Sequence, residues 1–190
     1  IESGTTTELN AADYFAANNL EFNTVVFVDQ DEVFKAYEDG RCDVYTTDSS
    51  ALAAERSKAQ EPDSHVILPE IISKEPLGPA VRHGDDRWFD VVKWAMFAMV
   101  EAEEMGLSTK TIDKEASSTN PNIQRFVGAT GDIGKMLGID NKWAYNIIKQ
   151  VGNYGESFER NIGKTSPMKL DRGLNAQWRD GGLMYGWPIR

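Results

Sequence analysis

The chain has 190 residues, 41% of them hydrophobic, and five tryptophans, enough to fold around a core in one or two compact domains. Asp and Glu outnumber Lys and Arg by 30 to 20, a formal net charge of −10, which disfavours nonspecific binding to nucleic acid or an anionic membrane. No apolar run is long enough to span a bilayer; the most apolar, Trp94 to Val100, sits inside an amphipathic helical pattern.

Ser3-Gly4-Thr5-Thr6-Thr7-Glu8 sets a flexible glycine and three hydroxyl residues before a helical pattern. Thr5 and Glu8 have capping-box spacing, and the helix they open carries Leu9, Ala12, Phe15 and Ala16 on roughly one face. Its N-terminus offers free N–H donors and partial positive charge, which suit a small anion such as a carboxylate. A plain helix cap that binds nothing accounts for the same residues.

Thr24 to Val28 is a short β-branched run read as a strand, with a turn-like Asp29-Gln30-Asp31 after it. Val33, Phe34, Ala36 and Tyr37 suit a helix closed by Asp39-Gly40. Cys42 to Thr46 reads as a second strand, Asp48-Ser49-Ser50 as a cap opening a helix over Ala51 to Lys58, and Val66 to Leu68 as a third strand. Ile71-Ile72 and Leu77 to Val81 read as extended chain. The β-α-β-α-β order predicts an α/β unit with a mostly parallel sheet covered by helices.

The second half changes character. Asp85 and Asp86 cap a long helix with Trp88, Val92, Ala95 and Met99 on its apolar face, closing at Gly106. Helical patterns follow at Ile112 to Ala116, Pro121 to Phe126, Ile133 to Leu137 and Lys142 to Phe158, with a short helix near Leu174 to Trp178 in a Gly-, Trp- and Arg-rich tail. The division falls near residues 76–85.

The second candidate site is Gly40-Arg41-Cys42-Asp43-Val44-Tyr45-Thr46-Thr47-Asp48. Asp48 stands at the C-terminal end of a strand, where open α/β sheets bind ligands, and its carboxylate can accept from an ammonium group. It can equally cap the next helix. Asp43 reads as a partner of the glycine turn or of Arg41. A carboxylate-binding turn and an ammonium-binding aspartate in one cleft would grip the zwitterion of a free amino acid.

These residues resemble the substrate-binding proteins of polar amino-acid ABC transporters, of the type II periplasmic binding protein fold. Gly4-Thr5-Thr6 matches the segment that binds the ligand carboxylate there, and Gly40-Arg41-Cys42-Asp43 with Asp48 matches the segment that binds the amino group. The pattern is closer still to general L-amino-acid-binding proteins, in Ser3 to Asn10, Leu68 to Pro79 and Trp143 to Glu156. The resemblance implies a periplasmic solute-binding protein, not an enzyme, that needs no cofactor. It would capture free L-amino acids by closure of two lobes and deliver them to a membrane permease without inserting in the membrane itself. Its implied ligand-binding residues are Gly4, Thr5, Thr6, Thr7 and Asp48. It further implies that residues 1–79 are the second, α/β lobe and 80–190 a mostly helical return to the first. The chain starts inside a ligand loop, without an initiator methionine or signal peptide, so we expect that upstream sequence precedes Ile1. The family's carboxylate-pairing arginine, and a cysteine that could pair with Cys42, would lie in it.

Nothing else in the chain carries a catalytic signature. His65 and His83 have no zinc-ligand spacing around them, and no Gly-x-Ser-x-Gly, P-loop or His-Glu-x-x-His pattern occurs. Gly128 to Gly134 is only loosely like a phosphate loop and reads as a turn between helices. Trp88, Trp94, Trp143 and Trp178 read as packing residues, and Glu101, Glu103 and Glu104 as a solvated helix face. The same fold also hosts dehydratase-like enzymes on small organic acids and ligand-sensing domains, and these are the alternatives.

Overall fold

The computed structural model describes residues 1–190. The chain divides into two compact units, Ile1–Leu77 with Pro167–Leu170 and Gly78–Ser166 with Asp171–Arg190.

The first unit holds three helices, α1 (Thr6–Ala17), α2 (Gln30–Glu38) and α3 (Ser49–Lys58). Their starts follow from local chemistry. Thr5 caps α1 by accepting from Glu8 N–H, and Asp29 caps α2 by accepting from the N–H groups of Asp31 and Glu32. The face of α1 differs from expectation: Ala11 is its buried residue, whereas Leu9 is 67% exposed. Phe15 turns to pack against Phe22, the rings tilted by 32° with centroids 4.4 Å apart.

The three predicted strands do not form a sheet. Only Glu2 and Phe27 pair, in parallel, through Phe27 N–H to Ile1 O at 3.0 Å and Ser3 N–H to Phe27 O at 2.8 Å. Segments 42–46 and 66–68 have no ladder. The two-residue period survives all the same: Val25, Phe27, His65 and Ile67 are half-buried, while Val26, Val28, Val66 and Leu68 between them are exposed. Strand propensity is a local signal, but a strand exists only where a neighbour accepts its hydrogen bonds. Runs apolar on both faces fit a sheet covered on both sides, and within this unit one side stands open.

The second unit is helical: α4 (Asp86–Glu104), α5 (Ile112–Glu115), α6 (Pro121–Phe126), α7 (Ile133–Leu137), α8 (Trp143–Gln150) and α9 (Tyr154–Asn161), then single 3-10 turns at Gly173–Asn175 and Trp178–Asp180. Asp85 caps α4 by accepting from Trp88 N–H at 3.0 Å. Its buried residues are Ala98, Val100 and Ala102; Met99 of the predicted row packs against the core, whereas Trp88, like Trp178, is 53% exposed. Ala98 and Ala102 join Leu107, Ile112, Phe126, Val127, Trp143, Ala144, Ile148 and Ile189 in one hydrophobic core. The single helix expected over 142–158 is two helices. Gly152, at φ +93, breaks it, and Asn153 and Glu156 form a reciprocal capping box that restarts the chain as α9.

No helix is long and apolar enough to cross a membrane.

Candidate functional site

The turn Glu2–Glu8 is tied down by its own side chains. Gly4 sits at φ +70, a left-handed conformation that costs other residues strain. Its N–H donates to Glu8 Oε2 at 2.8 Å. Glu8 N–H donates to Thr5 Oγ1 at 3.4 Å, and that hydroxyl donates to Glu2 O at 2.8 Å. The capping box is therefore shifted by one residue, the glutamate reaching back to Gly4 and not to Thr5. The backbone N–H groups of Thr6 and Thr7, in the first turn of α1, have no protein acceptor. Thr6 is exposed and Thr7 half-buried.

Asp48 occupies the N-cap position of α3, yet its side chain makes no cap hydrogen bond. Its φ of −55 and ψ of 142 carry the chain into the helix while Asp48 O accepts from Leu52 N–H at 2.8 Å. The half-buried carboxylate is left without a donor, so the capping role weighed from sequence is not the one it plays. Asp43, expected to meet Arg41, is exposed and makes no ion pair; Arg41 lies over the Phe27 ring at 5.4 Å instead.

Sequence reading missed the polar cluster that fixes the segment before Asp48. Tyr45 bonds the Gln30 side chain, and Gln30 Nε2 donates to Glu55 Oε1 at 3.2 Å. Glu55 is buried and takes an ion pair from Lys58 at 3.0 Å. Burial raises the Tyr45 phenol above its ordinary value, and the negative charges of Glu55 and Glu2 add to that, against the Gln30 bond. The ring packs beside Phe34 and Tyr37, and Tyr37 Oη lies 2.8 Å from His65 Nδ1. Gln30 reads as part of a turn and Glu55 as an ordinary helix residue, so only the folded cluster reveals them.

The turn and Asp48 lie in one unit, at the N-termini of α1 and α3. The segments leading to them meet at Phe27, bridged to Glu2 and covered by Arg41. No hydrogen bond or ion pair joins the turn to Asp48 directly. Cys42 is a half-buried free thiol.

In the second unit, a groove of about 290 Å³ is lined in part by Glu101, Glu104, Trp178 and Tyr185. Glu104 already accepts from Trp178 Nε1 and Gly186 N–H. Burial, then the charge of Glu104, raises the Glu101 carboxyl above its ordinary value, with Arg190 opposing.

No family model matches the chain. It is 58% identical over its whole length to the general L-amino acid-binding periplasmic protein AapJ of Rhizobium johnstonii, and covers 56% of that protein. It is 51% identical, again over its whole length, to the glutamate/glutamine/aspartate/asparagine-binding protein BztA of Rhodobacter capsulatus, covering 56% of it. A solved structure, an ABC transporter/periplasmic binding protein from Brucella ovis with glutathione bound, matches with a TM-score of 0.95 at 56% identity. The match covers all of this chain and 60% of that one. The chain thus spans little more than half the length of the relatives it matches. Over its whole length it is similar in sequence to amino-acid-binding proteins, and in sequence and fold to a solved ABC transporter/periplasmic binding protein.

Proposed function

We propose that the chain is part of a periplasmic solute-binding protein that captures free L-amino acids and passes them to an ABC transporter permease, with no covalent chemistry. Residues 1–79 act as the lobe that carries the site, and 80–190 as a helical return segment. The turn Gly4-Thr5-Thr6-Thr7 receives the ligand α-carboxylate on unpaired helix N-terminal donors. Asp48 accepts from the α-ammonium.

The observation that carries this reading is Asp48. An aspartate at an N-cap normally spends its carboxylate on the helix. Here the carboxylate caps nothing, and Arg41 in the segment leading to it lies over Phe27, which is bridged to Glu2 ahead of α1. The relatives' names support amino-acid capture over catalysis. The glutathione of the solved relative fits the same chemistry, since its γ-glutamyl end has a free α-ammonium and α-carboxylate.

The test is calorimetric titration of the chain, carried in a protein of its relatives' length, with a panel of L-amino acids and glutathione. Saturable binding of several amino acids, lost in Asp48→Ala, is the expected result. No binding across the panel overturns the reading and directs attention to small organic acids.

A further inference from the structure

We propose that Glu101 and Glu104 of α4 form a proton-sensitive clasp on the segment Asp171–Arg190. With one proton bound by the pair the segment is held firmly around Gly186, and with both carboxylates charged it loosens there.

The sequence reads Glu101, Glu103 and Glu104 as a solvated helix face, but all three are half-buried beneath this segment. Arg172 grips Glu103 with two bonds, 2.8 Å to Oε1 and 3.1 Å to Oε2, and Ile189, further along, lies in the hydrophobic core. Between these anchors the hold is Glu104: Oε1 accepts from Trp178 Nε1 at 2.6 Å and Oε2 from Gly186 N–H at 3.1 Å. Gly186 is buried where the segment crosses α4. A Cβ there would stand 2.6 Å from Glu101 Oε2 and 2.7 Å from Glu104 Oε2, so the two carboxylates face each other across the glycine within a few ångströms. No donor serves Glu101. The other charged or titratable groups lining the groove with the pair are Arg179, Tyr185 and Arg190, all from the segment; α6 supplies only the uncharged Asn122, and α7, α8 and α9 supply none. Arg179 is committed elsewhere, to Gln177 Oε1 and the main-chain oxygen of Glu104.

Two like charges held this close in a half-buried site cannot both ionise freely. Burial, then the Glu104 charge, raises the Glu101 carboxyl, against Arg190. One proton therefore enters the pair before the ordinary carboxyl range is reached, cancels the repulsion across Gly186 and leaves Glu104 its two donors. A carboxyl raised by folding contributes stability that is complete below its unfolded value and is lost as pH rises through its folded value. The clasp is thus closed on the acid side of that transition and loosened on the alkaline side.

The test is the solvent protection of the Trp178 indole N–H and the Gly186 amide, in nitrogen-15-labelled protein at its relatives' length, from about pH 7.5 down to about pH 5. The Trp178 signal is identified by its loss in Trp178→Phe. After correction for the pH dependence of exchange itself, protection of both groups rises together by about threefold to tenfold as pH falls. In Glu101→Gln, which carries a neutral side chain of the same shape, both stay at the protected level throughout. Gly186→Ala, whose methyl group meets both carboxylates, lowers protection at every pH. Should either variant fail to fold, the wild-type profile decides alone. Wild-type protection that is flat, or that falls with decreasing pH, overturns the clasp. A Glu101→Gln profile that still titrates, or undiminished protection in Gly186→Ala, does the same.

Discussion

The two units bury different things. The second packs Leu107, Ile112, Phe126, Trp143 and Ile148 into one core around α4. In the first, the buried apolar residues are Ala11, Val33, Ala36, Ala53 and Ala59, while Val28, Val66 and Ile71 stand at 82%, 79% and 77% exposure. Burial free energy scales with apolar area, so the helical unit is the self-stabilised one. The unit with the candidate site is held more by caps, a short bridge and the Tyr45–Gln30–Glu55 cluster. A site on such a frame is shaped by local hydrogen bonds, each of which a single substitution can remove.

The largest expected effect breaks the comparison on the side of the core. Phe126→Ala should cost about 3–5 kcal/mol, the usual penalty for an emptied aromatic site, read as a drop in denaturant midpoint. Unfolding insensitive to this change would mean that the core does not control stability.

The second contrast lies between two N-cap aspartates. Asp29→Ala removes two cap bonds and should cost about 1 kcal/mol while leaving amino-acid affinity unchanged. Asp48→Ala should do the reverse, abolishing binding with little change in melting temperature. Equal thermal losses in both would show that Asp48 caps α3 after all.

A pH scan sharpens the difference from the side of the helical unit. Burial tends to raise the Glu156 carboxyl, but the Thr109 hydroxyl and the backbone N–H groups of Asn153 and Thr109 outweigh it and hold it below 4.5. A carboxylate depressed on folding stabilises above its unfolded value and loses that contribution as pH falls through the folded one. Stability of the second unit should therefore decline below about pH 4.5, and Glu156→Gln should flatten that decline, as followed by circular dichroism.

The smallest effect is expected in the open face of the first unit. Val66→Ala should change stability by no more than about 0.5 kcal/mol. A much larger loss would show that a partner covers Val66 in solution.

Helix starts were legible because capping is written within a few residues, as at Thr5 and Asp85. The break at Gly152 was equally written, in the Asn153-to-Glu156 spacing, yet the apolar period running through it masked the signal. The face of α4 was legible only in part, at Met99, because residues 94–100 are all apolar and periodicity alone does not fix which side packs. The strands were legible as patterns and not as structure, since pairing depends on what lies alongside. Of the candidate site, Gly4, Thr5 and Asp48 were visible in sequence. The diversion of Gly4 N–H to Glu8 and the idle carboxylate of Asp48 needed three dimensions.

The central claim is that Asp48 reads the α-ammonium of an amino acid. Its most direct test is paired calorimetry, at the relatives' length, of wild type and Asp48→Asn with L-glutamine and with the same molecule lacking its α-amino group. The account predicts that wild type binds L-glutamine far more tightly than the deaminated analogue, and that Asp48→Asn loses most of this preference. Full retention of the preference by Asp48→Asn would contradict it.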